Sequence, residues 1–292
     1  DDHHHIRLAG ELFRLLLALA GRRANGNALR QVGHAPPEHL QNRVKTIPPD
    51  CRLRDNQRFL RQLRLFGSLL HPEDVVLLVT PIDESAPKGR MILPQVQAIR
   101  EILDQTAICV VTQPEQLRRT LSLLKEPPRL VVTDSQVFGT VRSIVPEEIL
   151  LTSFSILFAR LKGVLAPAMQ AAQALETLPE NSRILISEGC THHRQCNDIG
   201  TVKLPKWIQA YTGKSFQFDF SSGNSFPEDL SPYQLVVHCG GCMLNQQEMK
   251  SRAARAAAQG VPYTNYGVLI AFLNGILERS LTFLKAIDEP SL

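Results

Sequence analysis

Short runs of uninterrupted apolar residues, each followed by a stretch with helical spacing, constrain this chain more than any other feature. V-V-L-L-V occupies residues 75–79, A-I-C-V-V-T residues 107–112 and L-V-V-T residues 130–133. Further on, R-I-L-I-S at 183–187 and L-V-V-H at 235–238 repeat the theme. A strand with one face in water alternates apolar and polar residues. A strand without alternation is buried on both faces, as in a parallel sheet covered by helices. Between the runs, Val96, Ile99, Ile102 and Leu103 fall at helical spacing within residues 94–104, and a second helix over 115–124 is closed by Pro127 and Pro128. Repeated strand–helix–strand units imply right-handed crossovers, so the fold class is α/β: two small parallel-sheet domains with helices on the sheet faces.

The first such domain is expected over residues 72–163 and the second over 164–292. In the second, the pattern predicts an Ala-rich helix over 166–178, a strand over 183–187 and a helix over 203–212 with Pro205 in its first turn. An alternating strand over 215–220, a buried strand over 235–238 and a helix over 246–259 stopped by Gly260 follow. Residues 263–266 read as strand or loop, and 268–284 as one long helix. Residues 1–71 are an unassigned helical and linker segment. Within it, 22–50 is rich in Asn, Gly and Pro and reads as loop or linker, and 58–70 reads as a helix.

The 292 residues are 43% hydrophobic and 21% charged, which are globular values. A net charge of +4, with no dense basic stripe, gives no ground for a nucleic-acid partner. No apolar run has the length of a membrane span, the nearest candidate at 12–20 being short and interrupted by Arg14. Six cysteines are too few for a disulfide scaffold and cluster like metal ligands, which favours a reducing, cytoplasmic location.

Those clusters are C-T-H, with Cys190 and His192, and H-C-G-G-C, with His238, Cys239 and Cys242. Gly240 and Gly241 let the backbone curl so that both sulfurs of the second motif can face one centre. Thiolates are soft ligands and select zinc, copper(I) or an iron–sulfur cluster over magnesium or calcium. Both motifs begin just beyond the carboxyl ends of predicted strands, where open parallel sheets bind ligands. A structural zinc held by three cysteines and a histidine is the rival reading. A sheet that needs no metal to fold points instead to a cofactor.

Cys196, His192 and His238 are candidates for a further ligand, and His238 reads equally as a side chain that orients its neighbouring cysteine. Cys51 and Cys109 read as structural, Cys109 within a buried strand. Lys203, Lys206, Arg194 and Lys250 could supply positive charge. With no Ser-His-Asp set, no His-Glu-x-x-His and no carboxylate pair beside the ligands, no catalytic residue is assigned.

The words around the cysteines are specific: E-G-C-T-H-H-R-Q-C-N-D-I-G-T-V-K-L-P-K-W at 188–207, H-C-G-G-C-M-L-N at 238–245 and G-V-P-Y-T-N-Y-G at 260–267. They resemble the cluster-binding part of the HydF family, the maturation proteins of FeFe-hydrogenase. V-T-P-I-D-E-S-A-P-K-G-R-M-I-L-P-Q at 79–95 and L-V-V-T-D-S-Q at 130–136 are similar to that family's dimerisation domain. The likeness runs from about residue 72 to about 283. It implies a dimerisation domain followed by a Rossmann-like cluster domain, and a 4Fe–4S cluster on Cys190, Cys239 and Cys242. It also implies a transient diiron precursor, received from radical-SAM maturation enzymes and delivered to the hydrogenase catalytic subunit, and a homodimer. The family usually begins with a GTP-binding domain. This sequence has no G-x-x-x-x-G-K-[ST], so GTP binding is not expected of it, whether through truncation or through loss of that domain.

Overall fold

The computed structural model describes residues 64–82, 89–189 and 198–287. The chain divides into two units, Asp1–Leu53 and Arg54–Leu292, and every described residue belongs to the second.

Two four-stranded sheets, parallel throughout, form the frame. The first holds β1 (Val75–Val79), β2 (Ile108–Thr112), β3 (Leu130–Thr133) and β4 (Leu150–Ser153) in the order β2-β1-β3-β4. The second holds β5 (Arg183–Glu188), β6 (Gln217–Ser222), β7 (Leu235–His238) and β8 (Tyr263–Asn265) in the order β6-β5-β7-β8. Counted from its own first strand, each sheet has the same order. The chain crosses to one side of the first strand and then to the other, so the order reverses between β1 and β3 and again between β5 and β7.

The helices among the described residues are α1 (Leu93–Asp104), α2 (Leu117–Leu123), α3 (Phe138–Arg142), α4 (Phe154–Leu161), α5 (Leu165–Ala174), α6 (Leu204–Thr212), α7 (Gln246–Ala258), α8 (Tyr266–Leu273) and α9 (Leu277–Leu281). One continuous hydrophobic core runs through both sheets. It takes Val76 to Val79 from β1, Ile184 and Ile186 from β5, and Val268 to Ala271 from α8. The alternate residues Leu185 of β5 and Val236 of β7 face a smaller cluster with Phe226, Ala256 of α7 and Tyr263. The central strands β5 and β7 of the second sheet are therefore buried on both faces, which is why they read as unbroken apolar runs. Helix α8 packs against α4, α5 and α6, and so joins the two sheets.

Several local readings are corrected. Of the helix expected over 58–70, residues 58–63 lie outside the described residues and 64–70 form turns. Their backbone is held by side chains from elsewhere. Glu101 accepts from Leu65 N at 2.8 Å and Phe66 N at 2.9 Å, and Arg160 donates to the Arg64 and Leu65 carbonyls. These bonds take the place of a helical ladder. Strand β2 lies at a sheet edge, with Ile108 49% and Val111 45% exposed, so it is not the buried strand its sequence suggests. Cys109 on it is half-buried, and burial pushes its thiol up to about 11.

Strand β4 and helix α4 were not anticipated. They share one apolar stretch, and the boundary is set by Ser153, whose hydroxyl accepts from Ile156 N at 3.3 Å as an N-cap. The long helix expected over 268–284 is three pieces, α8, α9 and a 3₁₀ turn over Thr282–Ala286, with Gly275 at φ 64 between the first two. The strand expected over 215–220 runs two residues later, over Gln217–Ser222.

Asn265 ends β8 and caps α8, accepting from Val268 N at 2.7 Å in a buried position. The N265A variant should lose about 1–2 kcal/mol, the upper range for a lost cap because no water can replace it, whereas N265D should lose less. Urea denaturation of the two variants checks this ordering.

Candidate functional site

The carboxyl ends of β5 and β7 lie side by side where the second sheet reverses its order. Ser187 pairs with His238, and the Cys239 N–H donates to the Ser187 carbonyl at 2.8 Å. β5 continues into Gly189. Beyond it Cys190, His192 and Cys196, with His193 and Arg194, lie outside the described residues, as does Cys51. Of the expected metal ligands, Cys239 and Cys242 are described, and both are half-buried. Among the described residues no group of three His, Cys, Asp or Glu side chains forms a metal-holding set.

Two backbone donors converge on the Cys239 sulfur: Gly189 N at 3.0 Å and Gly241 N at 3.3 Å. Each N–H dipole points at the sulfur. The first of these bonds comes from Gly189, the last described residue after β5. The second depends on the turn at Gly241, which has φ 57 and where an added Cβ would collide with Met249 Sδ. Only glycine meets both demands. The described residues resume at Asp198, whose carboxylate accepts from Thr201 N at 2.8 Å and Thr201 Oγ1 at 2.9 Å, capping one wide helical turn at Ile199–Lys203.

His238 is fully buried between Phe226 and Tyr263, with ring centroids 6.1 and 5.8 Å away. Its Nδ1 lies 2.8 Å from the Cys239 carbonyl and its Nε2 lies 3.1 Å from Arg252 Nη1. A carbonyl only accepts and a guanidinium only donates, so Nδ1 carries the proton and Nε2 accepts. Burial pushes the imidazole down to about 4, against the bond to the Cys239 carbonyl and with help from the Arg252 and Lys162 charges. His238 is thus neutral, with both ring nitrogens engaged.

Arg252, 3% exposed, also binds Glu248 Oε1 at 2.7 Å and the Gly223 carbonyl at 2.9 Å, and its guanidinium lies 5.0 Å from the centre of the Phe226 ring. On the other side of the loop is Lys162, 6% exposed, from the end of α4. Its ammonium donates to the carbonyls of Gly241, of Leu244 at 3.0 Å and of Gly240 at 3.5 Å. Burial lowers this ammonium's affinity for its proton, and the nearby sulfurs of Cys242 and Cys239 oppose that shift.

The cations named from the sequence are placed differently. Lys203 donates to Gln136 Oε1 at 3.0 Å, Lys206 and Lys250 are exposed, and Arg194 lies outside the described residues. Lys162 and Arg252 were missed. Each reads in sequence as an ordinary helix-surface cation, and only tertiary packing buries it. A separate cleft of about 400 Å³, lined by Gln136, Thr140, Trp207 and Tyr211 among others, contains none of the described cysteines.

Comparison with known families gives two matches that together span most of the chain. Residues 65–163 match the Hydrogen maturase F dimerization domain, and residues 166–283 the Hydrogen maturase F tetramerization domain. The chain belongs to the HydF family. Its matched modules are those of hydrogenase maturation, and their descriptions are of oligomer-forming domains.

No curated protein matches this HydF-family chain. Among solved structures, it is similar to an NtrC family transcriptional regulator from Clostridium acetobutylicum, at 12% identity, 73% of this chain, 97% of that one and a TM-score of 0.24. It is also similar to the ABC domain in complex with L-Trp from Streptococcus pneumonia, at 11% identity, 75% and 88% coverage and a TM-score of 0.24. Scores this low bear on neither fold nor function.

Replacing Arg252 leaves His238 Nε2 and the Gly223 carbonyl without their donor. The R252M variant should therefore be destabilised by about 1–3 kcal/mol, the range for hydrogen bonds to a charged group in a buried site. Guanidinium denaturation of the metal-free protein measures it, and a change below about 0.5 kcal/mol would contradict the network.

Proposed function

We propose that this HydF-family chain is an iron–sulfur scaffold and carrier in FeFe-hydrogenase maturation. It would hold a 4Fe–4S cluster on Cys190, Cys239 and Cys242, accept a diiron precursor from radical-SAM maturation enzymes, and release it to the hydrogenase catalytic subunit. The observation that carries this reading is the Cys239 sulfur, which receives N–H donors from Gly189 after β5 and from Gly241 of its own motif at the point where the sheet order reverses. The described donor set fits the group: soft sulfurs, amide dipoles aimed at one of them, and a buried ammonium nearby. Three thiolates would leave one iron with a replaceable coordination position, which is the chemistry the cluster supplies.

The chain's own residues bind, orient and shield. His238 orients the Cys239 peptide in this reading and is not the ligand of the remaining iron, because both its ring nitrogens are engaged. That position is left to His192, Cys196 or the cargo. GTP is no part of the proposal, since the sequence has no phosphate-cradling loop. A cytoplasmic location suits both the cluster and the thiolates. Among the described residues no helix is long and apolar enough to cross a membrane.

Anaerobic reconstitution with iron and sulfide tests the site. Wild type should develop broad visible absorption, and C190A, C239A and C242A should each lose most of their iron. Full retention in all three variants would sink the proposal, and tight zinc that resists exchange would favour a structural metal instead.

The oligomer is proposed to form through the β2 edge. Ile108 and Val111 on that strand, with Val96 and Leu103 on α1, are exposed apolar side chains at an edge that no other described strand covers. Light scattering at micromolar concentration should report at least twice the monomer mass for wild type and a shift toward monomer for V111K. An unchanged mass for the variant would place the interface elsewhere.

A further inference from the structure

The peptide unit joining Gly240 to Gly241 is held at both ends. Its N–H donates to the Cys239 sulfur at 3.3 Å, and its carbonyl faces the Lys162 ammonium at 3.5 Å. In a trans peptide the N–H and C=O point in opposite directions, so fixing one aims the other. The same ammonium grips the carbonyls of Gly241 and Leu244 as well, so all three of its protons have acceptors in one loop. Lys162 is the residue that follows α4, on the far side of residue 163 from the module that carries the cysteines.

We infer that Lys162 is a positioning residue for the thiolate site, supplied by the dimerisation module to the cysteine loop of the other. It turns the loop carbonyls away from the sulfurs, which leaves the Gly241 N–H facing Cys239, and it places one positive charge beside an anionic centre. An ammonium that only stabilised the fold would need neither this choice of acceptors nor nearness to both sulfurs. The inference rests on the proposed role of Cys239 and Cys242, and it goes beyond that role by making the site depend on both modules.

The test uses the full chain with K162M, K162Q and K162R, and C239A as the control for the site itself. Metal-free samples are first compared by circular dichroism. Co(II) alone is then titrated, reading the sulfur-to-cobalt charge-transfer band, and the reduction potential of the reconstituted cluster is measured. K162M and K162Q should bind Co(II) about ten- to a hundredfold more weakly, the usual cost of losing a group that orients a ligand. Their cluster potential should move in the negative direction, because a lost cation favours the less reduced state. K162R, which keeps the charge, should hold the potential nearer wild type. A folded K162M or K162Q with wild-type affinity and potential, alongside a C239A that binds nothing, overturns the inference and leaves the site intact. If K162M fails to fold, K162Q alone decides by the same two readings. A C239A that binds Co(II) like wild type removes the site reading, and this inference with it.

Discussion

A parallel sheet of four strands cannot leave a face bare, because its strands carry apolar side chains on both sides. Most of this structure follows from meeting that demand twice in one chain. Each sheet alone is small, and the two share a core in which Val76 to Val79 of β1 and Ile184 and Ile186 of β5 belong to one cluster. Helix α8 supplies the shared wall, and it can lie there only because Gly267 brings its backbone against Ser155 of α4. The short 3₁₀ turn after β3 completes the contact. Asp134 caps it, Ser135 Oγ lies 3.2 Å from Ser155 Oγ, and Gln136 takes Lys203 from the other half.

The same arrangement gives the candidate site its chemistry. Strand order reverses between β5 and β7, and it is outside the carboxyl ends of strands at such a reversal that open parallel sheets bind ligands. Backbone N–H groups there have no strand partner and turn to the Cys239 sulfur. Behind the loop, His238, Arg252 and Phe226 form a buried stack, with the partly exposed Glu248 bonded to Arg252 at its edge. Lys162 closes the loop from the opposite side. Two buried cations so close together would be costly in an apolar interior unless every donor were satisfied. Lys162 is satisfied by three backbone carbonyls, and Arg252 by the Gly223 carbonyl together with the side chains of Glu248 and His238.

Some of the family's sequence words prove to have structural reasons. In G-V-P-Y-T-N-Y-G, Tyr263 stacks on His238, Thr264 bonds the Ala168 carbonyl at 2.8 Å and Asn265 caps α8. None of these need touch a cofactor. They set the height and rotation of β8 and α8, and through His238 the direction of the Cys239 carbonyl.

The sequence alone determined most of the strands and their parallel character, because a run such as residues 235–238 has no alternation to offer a wet face. It also determined the soft donor set, since Cys-x-x-Cys beside a strand end carries that chemistry in any fold. It could not separate β4 from α4 in one apolar stretch, nor tell that β2 is an edge strand, since edge and centre differ in neighbours and not in composition. It misread 64–70 as helix because Glu101 and Arg160, which claim that backbone, lie far along the chain. Above all, only the tertiary structure could turn Lys162 and Arg252 inward. A long charged side chain on a helix is solvated by default, and burial becomes tolerable only when the fold brings acceptors to it: loop carbonyls for Lys162, and the Gly223 carbonyl, His238 and Glu248 for Arg252.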